Sequence, residues 1–282
     1  MRKNSGQLTL GVEEEFQLLC PKTHALVPQF DRLAACWRES FGIDPDDAAR
    51  KGWDPNCESG SANTIRIKRE LHTCCSEVIT KPCTSVSELV DELRSNRRQL
   101  LKIADRAGIA IGLSGTHPFA HWNDLPITRE LRRLESEYLF QEAHRQCLVF
   151  ALHIHVGIPN RVLGLQVMND ARGLLPILYA LSCSSPCLEG RRTGLKSSRL
   201  LRAFGFPRTG IPDLLESVDQ LEAQIAAMQA AGLIADPGQL WWDIRLHHAY
   251  PTVEFRLADA VPRLDDVAAL TALTQAFVAN LL

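Results

Sequence analysis

The pattern of apolar and polar residues divides the chain into short runs with the two-residue period of strands and longer stretches with the spacing of helices. The first run, residues 8–19, is predicted to be a strand in which apolar residues flank three consecutive glutamates. Further strands are predicted at residues 65–68, 71–80, 108–114 and 148–158, and alternating strand and turn at residues 241–257. The glycine-bounded run 108–114 is expected to form a core strand.

Helical spacing predicts helices between and after these strands, at residues 84–107, 128–147, 161–181, 215–231 and 265–282. Ser85 or Ser87 is a candidate cap for the first helix, and Gly232 is the expected stop of the fourth. Residues 42–66 are polar and rich in turn formers. Strands separated by helices fit either a parallel α/β sheet or helices stacked on an antiparallel sheet, and periodicity does not choose between them.

The three glutamates of the first strand are costly to bury and need an explanation. Because side chains alternate along a strand, Glu13 and Glu15 share one face and Glu14 lies on the other. If the shared face is a solvated edge, Glu13 and Glu15 are ordinary surface carboxylates without a function. If it faces a cleft, the two carboxylates require a cation, and oxygen ligands suit Mg²⁺ or Mn²⁺.

The same alternation places two imidazoles, His153 and His155, on one face of a later strand. Such a pair either binds a metal or forms a hydrogen-bonded pair beside the core. Near the end of the chain, Glu254 and Arg256 again lie two residues apart. They form either a simple salt bridge or a metal carboxylate beside a cation that stabilises charge on a transferring phosphoryl group.

Two further glutamates, Glu70 and Glu77, could extend this acidic set or be ordinary surface carboxylates. No phosphate-binding loop of the GxxxxGK[ST] kind accompanies them, so a nucleotide would have to be held mainly through metal ions.

Composition narrows the class of protein. The 282 residues are 45% apolar and 23% charged with a net charge of -2, the proportions of a globular protein that does not bind nucleic acid. No apolar stretch is long enough for a membrane span or secretion signal, which predicts the cytoplasm. The nine cysteines are odd in number and irregularly spaced without a CxxC pair, so we expect reduced thiols and no zinc site.

Four segments in order resemble the carboxylate–amine ligase family related to type 2 glutamate–cysteine ligase: GVEEEF (11–16), HIHVGI (153–158), FPRTGIP (206–212) and WDIRLHHAYPTVEFRLAD (242–259). The resemblance implies an α+β, glutamine-synthetase-like fold, in which a curved antiparallel sheet forms a funnel and helices pack on its outer face. It therefore favours the antiparallel alternative. It also implies a single catalytic domain over residues 1–282 and a homodimer.

For function, the resemblance implies a ligase that depends on ATP and Mg²⁺, with Mn²⁺ as a substitute. The enzyme would join the γ-carboxylate of glutamate, or a similar carboxylate, to an amine such as cysteine through an acyl phosphate. Weak glutamate–cysteine ligase activity is the expectation.

The resemblance also assigns roles position by position. The metal ligands that it implies are Glu13, Glu15, Glu70, Glu77, His153 and Glu254. Arg256 matches an arginine that neutralises the phosphoryl oxygens in the transition state, and it shares the catalytic role with Glu13. Substrate or nucleotide contact is implied for His155, Arg208 and Arg245.

Two departures from the family leave alternatives open. Phe150 and Ala151 stand where relatives carry Cys-Gly, and relatives continue beyond residues 265–282 through an arginine-bearing segment that this chain lacks. One alternative is a truncated, non-catalytic relative that binds metal or nucleotide. Another is a metal-dependent amide hydrolase, because an HxH strand with carboxylates also describes sites where a metal activates water. A requirement for ATP would separate the ligase from the hydrolase.

Overall fold

A computed structural model describes residues 8–42, 44–45 and 65–282. The strands are β1 (Leu10–Leu19), β2 (Arg66–Arg69), β3 (Cys75–Ile79), β4 (Ala110–Gly112), β5 (Ala151–Gly157), β6 (Cys187–Leu188), β7 (Arg191–Arg192), β8 (Thr209–Gly210), β9 (Trp241–Trp242), β10 (Ile244–Leu246) and β11 (Thr252–Asp259). The helices are α1 (Phe30–Phe41), α2 (Val86–Arg106), α3 (Leu131–Gln146), α4 (Arg161–Asp170), α5 (Leu175–Ser182), α6 (Arg199–Ala203), α7 (Val218–Ala230) and α8 (Leu264–Leu281). Most of the predicted turn-rich stretch at residues 42–66 lies outside the described residues.

Seven strands form one sheet in the order β10-β11-β5-β1-β3-β2, with β4 paired to the end of β1. Every pairing in this sheet is antiparallel. The antiparallel alternative is therefore confirmed. Strands β1 and β5 are neighbours in the sheet but far apart in sequence, and α2 and α3 belong to the chain segment that connects them.

One face of the sheet is apolar and is covered by helices. Val12 of β1 and Phe255 of β11 belong to a core that includes side chains of α2, α4, α5 and α8. Phe16 of β1 packs in a second core with α1 and the later part of α2. Since side chains alternate along a strand, covering this face leaves the opposite face for polar residues.

Glu14 is the polar exception on the helix-covered face. Its carboxylate is buried and accepts hydrogen bonds from Arg97 of α2, from Nε at 3.2 Å and from Nη2 at 2.5 Å. The predicted separation of Glu14 from Glu13 and Glu15 is thus confirmed, and its reason is an ion pair that ties β1 to α2.

Helix ends agree with several predictions. Ser85 caps α2, because its hydroxyl accepts a hydrogen bond from the Glu88 amide at 3.2 Å. Gly232 follows α7 with a left-handed φ of +69°, as expected of a helix stop.

Three predicted elements were wrong in extent. The helix expected at residues 161–181 is two helices, because Pro176 cannot donate a backbone hydrogen bond and falls in the first turn of α5. The strand expected at residues 71–80 begins only at Cys75. The core strand expected at residues 108–114 is the short, half-buried β4.

All eight described cysteines are free, and reduced thiols stay a prediction. Within the described ranges, none of the helices combines the length and the apolar character that a bilayer crossing needs. A single domain over residues 1–282 stays a prediction.

His144 of α3 gives the fold a dependence on pH. Its ring is buried against Phe206, and burial together with the nearby Arg133 charge lowers its pKa to about 4. In the unfolded chain this histidine has an ordinary pKa near 6.5, so between pH 4 and pH 6.5 the unfolded chain binds more protons than the folded protein. The stability that comes from burying neutral His144 is therefore complete above pH 6.5 and is lost as the pH falls towards 4. We expect a loss of up to about 3 kcal/mol in the free energy of unfolding.

Urea unfolding at pH 7.5 and pH 5 measures this loss. His144→Phe keeps a ring beside Phe206 but cannot titrate, so the stability of this variant should change less between the two pH values. An equal change in the variant and the unaltered protein would contradict the assignment to His144.

Candidate active site

The polar face of the sheet lines a cleft of about 410 Å³. Strand register places its charged residues directly opposite one another: Lys68 faces Glu77, Glu77 faces Glu15, Glu13 faces His153, His155 faces Glu254, and Glu254 faces Arg245. These pairs form a stepped row across six strands, which shifts by two residues between Glu15 and Glu13 on β1 and between His153 and His155 on β5. Each member points to this face because the residues beside it in sequence point into the helix-covered cores.

Glu13, His153 and Glu254 form the first of two candidate metal-binding sets, with ligand atoms within 4.8 Å of one another. Nδ1 of His153 lies 3.0 Å from Oε2 of Glu13 and 3.9 Å from Oε1 of Glu254. Three residues separated by up to 241 positions in sequence thus meet on three neighbouring strands.

His155 adds an unpartnered nitrogen to this set. Its Nδ1 lies 3.1 Å from the Thr252 hydroxyl, which orients the ring. Its Nε2 is buried without a hydrogen-bond partner among the described residues, 3.5 Å from a Glu13 oxygen and 3.9 Å from a Glu254 oxygen. A buried polar atom aimed at two carboxylates is the arrangement expected where a cation completes the site.

The second candidate set is Glu15, Glu77 and His153, so His153 is common to both. Glu15 is fixed by the Ala151 amide, which donates to its Oε2 at 2.7 Å. Burial and the neighbouring Glu70 charge raise the pKa of Glu15 to about 7. A second positive charge at this position would relieve the repulsion between the carboxylates.

In the first set, the glutamate Glu13 has a lowered pKa, in contrast to Glu15 of the second set. Burial tends to raise the pKa of Glu13, but the hydrogen bond from His153 and the nearby His155 ring outweigh it and hold the pKa well below the ordinary value. Burial and the Arg256 charge lower the pKa of His153 to about 4. An ionised carboxylate and a neutral imidazole are the forms that bind metal.

The donor atoms of both sets are carboxylate oxygens and imidazole nitrogens. No described cysteine belongs to either set. Together with the unpartnered His155 nitrogen, this chemistry fits Mg²⁺ or Mn²⁺.

Two arginines clamp Glu254 from either side. Nε of Arg245 lies 2.5 Å from one carboxylate oxygen, and Arg256 contacts the other. Burial tends to raise the pKa of Glu254, but the charges on Arg256 and Arg245 outweigh it and keep the carboxylate ionised. Arg245 and Arg256 both line the cleft, so each presents a fixed positive charge there.

Glu70 lies in the cleft but outside both sets. One carboxylate oxygen is 3.2 Å from Nη2 of Arg133 and the other is 3.5 Å from Nζ of Lys68. Burial tends to raise its pKa, but these two charges lower it to about 2. Glu70 is therefore held by two side-chain cations beside Glu15 and Glu77, and its role as a metal ligand stays a prediction.

Arg208 is not brought to the carboxylates. Its guanidinium lies over the rings of Phe140 at 5.0 Å and Trp241 at 5.1 Å, and its Nε donates to the Gln239 carbonyl at 3.2 Å. Contact with substrate or nucleotide by Arg208 stays a prediction.

Three cations of the cleft were not singled out from sequence: Lys68, Arg133 and Arg199. The alternation in RIKR, which buries Ile67 in the core, could have placed Lys68 on the polar face. Arg133 and Arg199 belong to helices outside the sheet, so no strand pattern marks them. Arg199 donates to the carbonyls of Arg256 and Leu257, both at 3.0 Å, and thereby holds the strand that carries Arg256.

A sequence profile of glutamate–cysteine ligase family 2 matches residues 9–282. The chain belongs to this family. The resemblance noted from its four segments is thus confirmed.

Two relatives of glutamate–cysteine ligase family 2 give the extent of the match. Both carry the name "Putative glutamate--cysteine ligase 2". The one from Solibacter usitatus is 34% identical over 274 residues, which is 97% of this chain and 66% of that protein. The one from Chloroflexus aurantiacus is 34% identical over 270 residues, 96% of this chain and 64% of that protein. The chain therefore spans about two thirds of their length.

Two solved structures share the fold. A bifunctional glutathione synthetase from Pasteurella multocida aligns with a TM-score of 0.66 at 15% identity, covering 97% of this chain and 39% of the other. A glutamate–cysteine ligase from Francisella tularensis, in complex with AMP, aligns with a TM-score of 0.61 at 14% identity, covering 97% and 66%. The predicted α+β, glutamine-synthetase-like fold of this family is confirmed.

Proposed function

We propose that this member of glutamate–cysteine ligase family 2 is an ATP- and Mg²⁺-dependent ligase. It would join the γ-carboxylate of glutamate, or a similar carboxylate, to an amine such as cysteine. The observation that carries the proposal is the convergence of two ligand sets on His153, with Arg256 beside them. The relatives' names and membership of the family support the same reaction class.

The reaction would proceed in two steps, a phosphoryl transfer and then an acyl transfer. A carboxylate oxygen of the first substrate attacks the γ-phosphorus of ATP, and the bond to the β-phosphate oxygen breaks to release ADP. The amine nitrogen then attacks the acyl carbon, phosphate leaves with the bonding electrons, and the nitrogen loses a proton. Forming an acyl phosphate gives the carboxylate oxygen a leaving group, which is why the nucleotide is needed.

The residues divide this work by position. Glu13, His153 and Glu254 would hold one divalent cation, and Glu15 and Glu77 would supply carboxylates to another. The ions, when bound, neutralise and orient the phosphate oxygens of the nucleotide.

Arg256 supplies a positive charge that does not depend on those ions. It is held by Glu254 through its guanidinium and by Arg199 through its carbonyl, so its position is fixed before substrate arrives. A preorganised guanidinium stabilises negative charge as it develops on the transferred phosphoryl group.

ADP formation by the purified chain, assayed with glutamate and a panel of amines, tests the proposal. A ligase should release ADP and phosphate only when ATP, carboxylate and amine are all present. Amide cleavage without nucleotide would instead support a hydrolase, and binding of nucleotide without turnover would support a non-catalytic relative. Location in the cytoplasm and assembly into a homodimer stay predictions.

A further inference from the structure

Lys68 is the cation that lies closest to the second ligand set. It stands opposite Glu77 in the pairing of β2 with β3, and its Nζ lies 2.7 Å from a Glu77 oxygen. The same ammonium is 3.5 Å from Glu70. Glu77, which would help to hold a divalent cation, is therefore already engaged by a charge from its own sheet.

Lys68 and a divalent cation cannot both hold Glu77 in this geometry without cost. The ammonium occupies part of the space around the carboxylate oxygen, and like charges at contact distance repel. Glu70 would not follow Lys68 if it moved, because Arg133 binds the other Glu70 oxygen at 3.2 Å. If Lys68 moved away, the Glu77 carboxylate would be free to bind a cation, and the charge of Glu70 would still be balanced by Arg133.

The exposure of the pair indicates which partner can move. The Glu77 side chain is 2% exposed, whereas that of Lys68 is 40% exposed. Lysine also has a long, flexible stem, so its ammonium can reach a new partner without movement of the strand.

The balance of charge in the cleft indicates what that partner would be. The lining carries five carboxylates and five lysine or arginine side chains, and the buried Glu254 of the first ligand set adds a sixth carboxylate. Two divalent cations alone would make this site positive, while the phosphates of a nucleotide would offset that charge and offer anionic oxygens to a displaced ammonium.

We propose that Lys68 is a tethered counter-ion, which holds Glu77 while nucleotide is absent and transfers to nucleotide phosphate oxygens when a divalent cation takes its place. The inference rests on the proposed function. Its consequence is that the second set is loaded together with nucleotide and not before it.

Titration with Mn²⁺ alone, followed by the loss of the free-ion paramagnetic resonance signal, tests the inference without turnover. Lys68→Met should bind Mn²⁺ with a dissociation constant about tenfold lower than that of the unaltered protein. Lys81→Met is the matched control, because Lys81 pairs with Glu88 at 3.2 Å outside the cleft, and its affinity for Mn²⁺ should not change. Lys68→Arg keeps the positive charge, so its affinity for Mn²⁺ should stay as weak as that of the unaltered protein.

The same proteins are then titrated with the β,γ-imido analogue of ATP in the presence of Mn²⁺. Lys68→Met should bind the analogue about tenfold more weakly, the opposite direction to its effect on Mn²⁺ alone. Circular dichroism verifies folding, and Lys68→Gln provides the same comparison if Lys68→Met does not fold.

Unchanged or weaker Mn²⁺ binding by Lys68→Met would overturn the inference. If Glu13→Gln lowers Mn²⁺ binding in that case, the first ligand set stands and only the role of Lys68 falls. If no variant and not even the unaltered protein binds Mn²⁺, the ligand sets and the role of Lys68 fall together.

Discussion

Replacement of Glu13 by glutamine is expected to lower ADP formation by at least about 100-fold while the chain stays folded. The substitution keeps the size of the side chain but removes the negative charge between His153 and His155, 3.0 Å and 3.5 Å from their nitrogens. The first ligand set would then lack one of its two carboxylates. Initial rates at saturating ATP, carboxylate and amine measure the loss, and circular dichroism verifies the fold.

The adjacent residue provides the matched control for Glu13. Glu14→Gln removes the same charge from the same strand on the opposite face, away from the cleft. Its ADP formation per folded molecule should stay within about twofold of the unaltered protein, since surface or core substitutions away from a site act mainly on stability. Equal losses of activity in the two variants would contradict the division of the strand into a catalytic and a structural face.

Glu14→Gln is instead expected to lower the free energy of unfolding by about 3 kcal/mol. Arg97 would be left with a charge that no carboxylate compensates, although it keeps hydrogen bonds to the carbonyls of Val261 and Pro262. Urea unfolding at neutral pH measures the effect.

A double-mutant cycle isolates the Glu14–Arg97 pair. Arg97→Met combined with Glu14→Gln removes both charges, so the double variant should be more stable than the sum of the two single losses implies. Additive losses would show that the ion pair contributes nothing of its own.

The polar face of the sheet was largely predictable from sequence. A two-residue period decides which side chains share a face, and Glu13 with Glu15, His153 with His155, and Glu254 with Arg256 each lie two residues apart. Local alternation could not reveal that these pairs come together. That depends on the order of strands, and the resemblance to a family supplied it where periodicity left parallel and antiparallel sheets open.

Residues outside the strand pattern were harder to predict. Arg133 and Arg199 reach the cleft from helices, where the position of a side chain depends on packing of the whole helix against the sheet. Arg208 lies in a recognisable segment, yet its left-handed φ of +58° and the nearby aromatic rings direct its side chain elsewhere. A motif identifies a residue type at a position and does not fix what the side chain contacts.

The number of Mn²⁺ ions bound per chain in the presence of the β,γ-imido analogue of ATP tests most directly whether the carboxylates of this sheet form a metal and nucleotide site. Two ions are expected for the unaltered protein and for Glu14→Gln, one for each ligand set, with fewer for Glu13→Gln. Absence of bound Mn²⁺, or binding that Glu13→Gln leaves unchanged, would contradict the account.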